Sequence, residues 1–504
     1  MSAWNGVMAL ACAGTTVLGP AHPPVWADSA TTWIREALDA MGGEVALRSL
    51  HGLHMAGVDE TAGAAFSPHR TEPRMTHELF DTWLDLDHHR LTRRVTAYAP
   101  NFRDGLSYRA IVAADDRVGI QETDRFGAFP IDSASLDDYA DQLSLAPERL
   151  LLTALASPDL HALPDTLIGG RRYHTLAFAH NRTKVLVSAT THLPLAVETI
   201  RAVEDPDWIV WGDLVTRTTF SSWSLTHGVH LPRTRTTARN GLPYELVSLS
   251  KLDAVDPVAS DSFAIPDNLR QMARTTPPVA LGNGNPTSIR EIADGVVFIP
   301  GIWNVILVRQ SDGLVVIEAP HSPTYSRLVV AEAARRFPNV PIKALVTTDF
   351  MWSHYAGVRE YVARGVPVYA AASNVDDLRH VIASPHRIAP DSLARASRVG
   401  HLTPVTSRTT IGSGPNRVEL ISAVSPGTDY GERMIVVYLP DRHLLYASDL
   451  LPTPAFEPNF VTQGTADVVG LVAREHLSVD SVLAIHIAPT AWAPVVASVQ
   501  SDHQ

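Results

Sequence analysis

Between Lys343 and Gly357 the chain passes from an apolar run (Ala344, Leu345, Val346) through Thr347, Thr348 and Asp349 to Met351, Trp352, Ser353 and His354. This pattern predicts a short buried strand, a polar loop and the start of a helix. A strand that opens into a polar loop is where many α/β enzymes place their chemistry. Asp349 and His354 are the reactive side chains here, and a carboxylate beside an imidazole suits acid–base work or metal ligation. Other candidates carry less. Asp85, Asp87, His88 and His89 are ligand types, but on a strand Asp85, Asp87 and His89 share one face and His88 the other, as a solvated face does. Ser248 and Lys251 have the S-x-x-K spacing of serine acyl transfer, yet sit inside an alternating strand pattern rather than at a helix start. His380 and His386 fall on or just after a helix predicted to be capped by Ser373, as surface positions. Gly282 and Gly284 belong to a linker, not a phosphate loop, and there is no G-x-S-x-G, Walker loop or zinc-finger spacing.

With 504 residues the chain exceeds one ordinary domain. A formal net charge of −12 argues against nucleic acid or an anionic membrane surface as partner, leaving a small-molecule substrate or ligand. After the N-terminus no apolar run of about 20 residues occurs, so no transmembrane span is expected. Val7 to Gly19 is short and apolar and is followed by Val25, Trp26 and Ala27, which predicts a signal peptide over residues 1–27 and export to the periplasm or beyond. No Lys or Arg precedes the apolar run, so an unprocessed tail on a cytoplasmic protein is the alternative. Cleavage after Ala27 removes the lone Cys12, leaving neither disulfide nor thiolate ligand. Nothing in the sequence sets the oligomeric state.

The elements that must position these residues fall into two textures. Ser29 to Met41 has helical spacing, stopped by Gly42 and Gly43. From about residue 48 to 265 the period is two, as in Arg172 to Phe178, Lys184 to Ser188 and Pro243 to Leu249, which predicts a large, mostly antiparallel sheet. This N-terminal β-rich domain is placed at 28–273. Residues 274–288, rich in Pro, Gly, Asn and Thr, read as a linker. From 289 to 504, hairpins give way to strand–helix alternation and then hairpins again.

In order, the C-terminal stretch resembles the metallo-β-lactamase superfamily: opening hairpins, the loop at 349–354, then Pro440 to Asp449, then Ile485 and His486. The N-terminal part is similar to the curved lipoprotein-carrier-type sheets that precede the catalytic domain in some secreted relatives. The resemblance implies an α+β protein whose second domain is an αββα sandwich. It also implies a metal site, for which the superfamily signature is H-x-H-x-D-H. On that signature the chain offers Asp349, Met351, Ser353 and His354, so only the last histidine is kept. The middle histidine falls near Pro426 to Tyr430, where Thr428, Asp429 or Tyr430 stands instead. The bridging aspartate falls on Asp449 and the last histidine on His486. One of two metal positions is thus dismantled. His354, Asp449 and His486 remain to hold one divalent metal, zinc in the first place and iron as the alternative, with Asp349 as a fourth ligand or a general base. Glu457, Asn459 and Phe460 lie in a Pro-rich loop that would border the cleft. The expectation is a mononuclear metal-dependent hydrolase of an ester, amide or lactone. The alternative is a pseudoenzyme that binds a ligand or acts as a scaffold without metal; His354 then caps its helix, Asp449 accepts backbone N–H groups and His486 is a satisfied buried imidazole.

Overall fold

A computed structural model describes residues 26–67, 73–98, 106–124, 127–255, 260–275, 279–396, 398–422, 433–451 and 463–502. The segment before residue 26, the stretch Pro426 to Tyr430, and Glu457, Asn459 and Phe460 lie outside the described residues. The chain divides into two compact units. The described residues within Met1–Ala64, Thr71–Arg201 and Leu214–Pro278 form the first, and those within Ala65–Arg70, Ala202–Asp213 and Val279–Gln504 the second.

The first unit is built on a 13-stranded sheet whose neighbours pair antiparallel throughout. Gly52–Gly63 lies beside Leu242–Val255 in the middle, one meander running out to Gly127–Pro130 and another returning from His161–Ile168. Alternation places Leu53, Leu91, Leu176 and Val185 on one face. There they pack against Ile34 and Leu38 of the helix Trp26–Ala40 and Leu150 and Leu151 of the helix Pro147–Ala156. The period-two reading passes over that second helix and over Ser133–Ser144, which Asp132 caps by accepting the N–H groups of Ala134 and Ser135. The reading of Asp85 to His89 as a strand face is overturned. The strand Arg74–Asp85 ends there, His89 takes a left-handed φ of 46°, and Arg90–Tyr98 begins the next strand. Asp85 holds the turn, accepting from the His88 N–H and the Arg90 guanidinium.

In the second unit a seven-stranded and a six-stranded sheet share one core. Val296, Ile306, Val315 and Val346 come from the larger, Leu420, Val437, Tyr446 and Leu483 from the smaller. Strands covered on both faces need apolar residues at every position, and Gly313–Ile317 is buried throughout. The helices Gln463–Arg474 and Trp492–Asp502 cover the other face of the smaller sheet through Leu471, Val472 and Trp492. The helix Val375–Ala383 follows a single 3₁₀ turn at Ala372–Asn374, so Asn374 stands at its N-cap where Ser373 was predicted. His380 is exposed, as expected, whereas the His386 side chain is mostly covered.

The segment Ala202–Asp213 packs within the second unit although its flanking strands belong to the first. Asp213 accepts the N–H groups of Arg387 and Ile388, and its own N–H donates to the Pro385 carbonyl at 2.7 Å. Gly212 has φ 78°, and a Cβ there would lie 2.0 Å from the Pro385 oxygen, so only glycine fits. No helix among the described residues is long and apolar enough to cross a membrane.

Candidate metal centre

Two strands of the smaller sheet, Leu444–Tyr446 and Ser481–Leu483, run parallel, so both chains leave at the same end. The first leads to Asp449 and the second to His486. Their loops are joined by hydrogen bonds from Ala447 N–H to the Leu483 carbonyl (2.8 Å) and from Ile485 N–H to the Ser448 carbonyl (2.9 Å). The larger sheet's strand Ile342–Val346 leads to Asp349, and the short helix Trp352–Tyr355 carries His354. The two sheets meet here, with Ile435 N–H donating to the Thr348 carbonyl at 2.9 Å.

His354, Asp449 and His486 each bring a ligand atom within 4.8 Å of the others'. Nδ1 of His486 donates to the Ile302 carbonyl at 2.6 Å, which leaves its Nε2 lone pair 3.4 Å from Oδ1 of Asp449. A carbonyl on the far nitrogen is the usual device for fixing a ligating imidazole's tautomer and orientation. The Ile302 loop is itself fixed by Asn304, whose amide donates to the carbonyls of Ala484 (2.9 Å) and Ile487 (3.2 Å). Asn304→Ala would remove two side-chain hydrogen bonds while each carbonyl keeps a backbone N–H, and its expected cost is about 1 kcal/mol in a urea unfolding experiment.

His354 is buried, and its Nδ1 has no hydrogen-bond partner among the described residues. That nitrogen lies 3.6 Å from Oδ2 of Asp349. Asp349 stands outside the converging three: its Oδ1 accepts the Met351 N–H at 2.8 Å and its Oδ2 the Ser448 hydroxyl at 3.5 Å. Met351 packs into an apolar cluster with Phe350, Leu450 and Leu451, so its thioether belongs to the core. Ser353 is buried beside Asp207 of the Ala202–Asp213 segment, whose carboxyl burial pushes up to about 7. Trp208 and Trp211 of that segment meet Trp352 edge to face at 5.4 and 5.5 Å, forming an aromatic wall against the loop.

Burial lowers the pKa of both histidines, with His486 adding to the effect on His354, so both are neutral imidazoles at neutral pH. Burial raises Asp449 well above the carboxylate range, with repulsion from Asp349 adding to it, and burial raises Asp349 as well. Two neutral imidazoles, two crowded carboxyls and an unpartnered buried ring nitrogen are what a divalent cation would satisfy. The residues present therefore fit one metal ion.

Sequence reasoning missed the support behind the site. Glu318 is completely buried, with φ 75°, and accepts hydrogen bonds from the N–H and hydroxyl of Thr348. Thr348 Oγ1 in turn lies 2.8 Å from the Ser448 hydroxyl. Glu318, His321 and Ser448 all adopt left-handed backbone in the loops around the site, a conformation that costs energy in non-glycine residues and concentrates at functional sites. The one signal that could have flagged the Ala202–Asp213 segment is its pair of tryptophans, Trp208 and Trp211, in a break between strand patterns.

No family model matches the chain, and no curated protein matches it. Among solved structures, 42% of the chain is similar to a metallo-β-lactamase from Pontibacter korlensis, at 15% identity and a TM-score of 0.31, covering 96% of that protein. The same share is similar to a stereoselective inverting sec-alkylsulfatase from Pseudomonas sp., at 15% identity and a TM-score of 0.30, covering 40% of that protein.

Proposed function

We propose that the second unit is a mononuclear metal-dependent hydrolase acting on an ester, amide or lactone, and that its fold is the αββα sandwich the sequence resembles. The observation that carries the reading is the convergence of His354, Asp449 and His486 around one point, with the His486 tautomer set by the Ile302 carbonyl. These three residues would hold the ion, zinc in the first place and iron as the alternative. When bound, the ion supplies Lewis acidity and lowers the pKa of a water at neutral pH. The remaining work falls to the protein. Asp349, held by the Met351 N–H and 3.6 Å from His354 Nδ1, supplies a carboxylate placed to take a proton. Trp208, Trp211 and Trp352 pack edge to face as a largely buried aromatic cluster that braces the loop carrying His354.

The test is elemental analysis of wild type and His354→Ala purified in parallel. The expected result is about one zinc or iron per chain in wild type and a loss of most of it in the variant. Wild type that holds no metal after zinc is added back would overturn the reading in favour of a non-catalytic ligand-binding domain.

A further inference from the structure

The first unit contains a second site unrelated to the metal centre. On the helix-covered face of its sheet lies a cavity of about 150 Å³. Met55, Phe80, Phe220, Val247 and Leu249 form its apolar side. Most charged groups around it are already satisfied. Arg93 donates to Asp59 at 2.7 Å and to Glu78 at 3.3 Å and lies over the Phe80 ring. Asp138 is shared by Arg239 and Arg201.

Arg235 is different. Its Nη2 makes a long contact of 3.9 Å to the Met55 sulfur and a loose ion pair of 3.6 Å with Glu148, and its Nε has no partner among the described residues. Thr82 pairs with Met55 across the strands, is 98% buried and lines the cavity, yet its hydroxyl has no partner either. The Thr216 hydroxyl, on the same lining, is also unpartnered among the described residues. Glu245 lines the cavity too; burial raises its pKa, so it offers an acid O–H. The unmet donors on the lining are therefore the Arg235 Nε–H and the Thr82 and Thr216 hydroxyls, which call for a hydrogen-bond acceptor. Leaving such groups dry and unpaired costs free energy that a matching ligand recovers. A cavity of this size accommodates one benzene-sized group.

We propose that this cavity binds a small apolar monocarboxylate of about benzoate size, its carboxylate on Arg235 and the Thr82 hydroxyl and its apolar body against Phe80, Phe220 and Leu249. The site is independent of the metal and of the hydrolase reading.

The test is calorimetric titration of the full chain, stripped of metal with a chelator so that the carboxylate cannot bind an ion in the second unit. Benzoate is the probe and benzamide its uncharged match. The expected result is saturable binding of one benzoate per chain, with benzamide weaker by about tenfold or more. Arg235→Gln, which keeps the side chain's bulk, is expected to weaken benzoate by a similar factor, and Thr82→Val by a smaller one. Absence of saturable benzoate binding up to about 10 mM overturns the proposal. So does equal affinity for benzamide, or an Arg235→Gln protein that folds and binds benzoate as well as wild type. Should that variant not fold, the benzoate–benzamide comparison on wild type decides alone.

Discussion

Under the proposed hydrolase function, Asp449→Asn is expected to lower kcat/KM for hydrolysis of an activated aryl ester or lactone by about a thousandfold, roughly 4 kcal/mol of transition-state stabilisation. Asparagine keeps the shape of the side chain and removes only its charge. Both histidines of the site are held neutral by burial, so a bound cation would draw its balancing negative charge from Asp349 and from Asp449, which burial keeps protonated until the ion displaces the proton. Asp349 has much of its capacity committed to the Met351 N–H and the Ser448 hydroxyl. Asp449 faces the free Nε2 of His486 at 3.4 Å and is the better placed of the two. The check is steady-state kinetics beside a metal assay on the same preparations. Asp480→Asn is the control, because Asp480 is exposed and pairs only with His443 among the described residues. Kinetics in Asp449→Asn that match wild type would remove Asp449 from the mechanism.

The second large effect concerns stability. Burial pushes Glu318 up to about 8 from an ordinary 4.5. Between those values the native state holds a proton that the unfolded chain has released. The stabilisation is therefore complete below about pH 4.5 and is lost as pH rises towards 8, on the order of 5 kcal/mol across the window. Glutamine is uncharged at every pH and still accepts from Thr348. In metal-free protein, Glu318→Gln should melt close to wild type at pH 5 and about 5 to 10 °C higher at pH 8.5. Scanning calorimetry of both proteins across that range measures it, and parallel melting curves would mean that Glu318 is ionised in the folded protein.

Local pattern carried much of the architecture. Alternation in stretches such as Arg172 to Phe178 marks a half-buried strand wherever it occurs, and the first unit is a large antiparallel sheet of such strands. Unbroken apolar runs such as Leu314 to Ile317 likewise marked strands covered on both sides. The pattern failed where a few residues decide the backbone. Asp85 to His89 has strand composition, but a left-handed His89 and the capping carboxylate of Asp85 make it a turn. The two helices between residues 133 and 156 are short and embedded in strand patterns, so their helical spacing was outweighed.

The chain by itself determined which side chains were available for chemistry: Asp349 and His354 were legible in the polar loop that follows an apolar run, and Asp449 and His486 through the resemblance the sequence bears to the metallo-β-lactamase superfamily. Only tertiary structure decided that His354, Asp449 and His486 meet while Asp349 stands behind them, since that depends on two sheets packing over one shared core and meeting at Thr348 and Ile435. It also decided that Ala202–Asp213 leaves its own sheet to face Ser353 and Trp352, and that Glu318 is buried under the site. Periodicity records whether a residue is covered, and it holds no information about which distant segment covers it. Those pairings are set by packing across the whole unit.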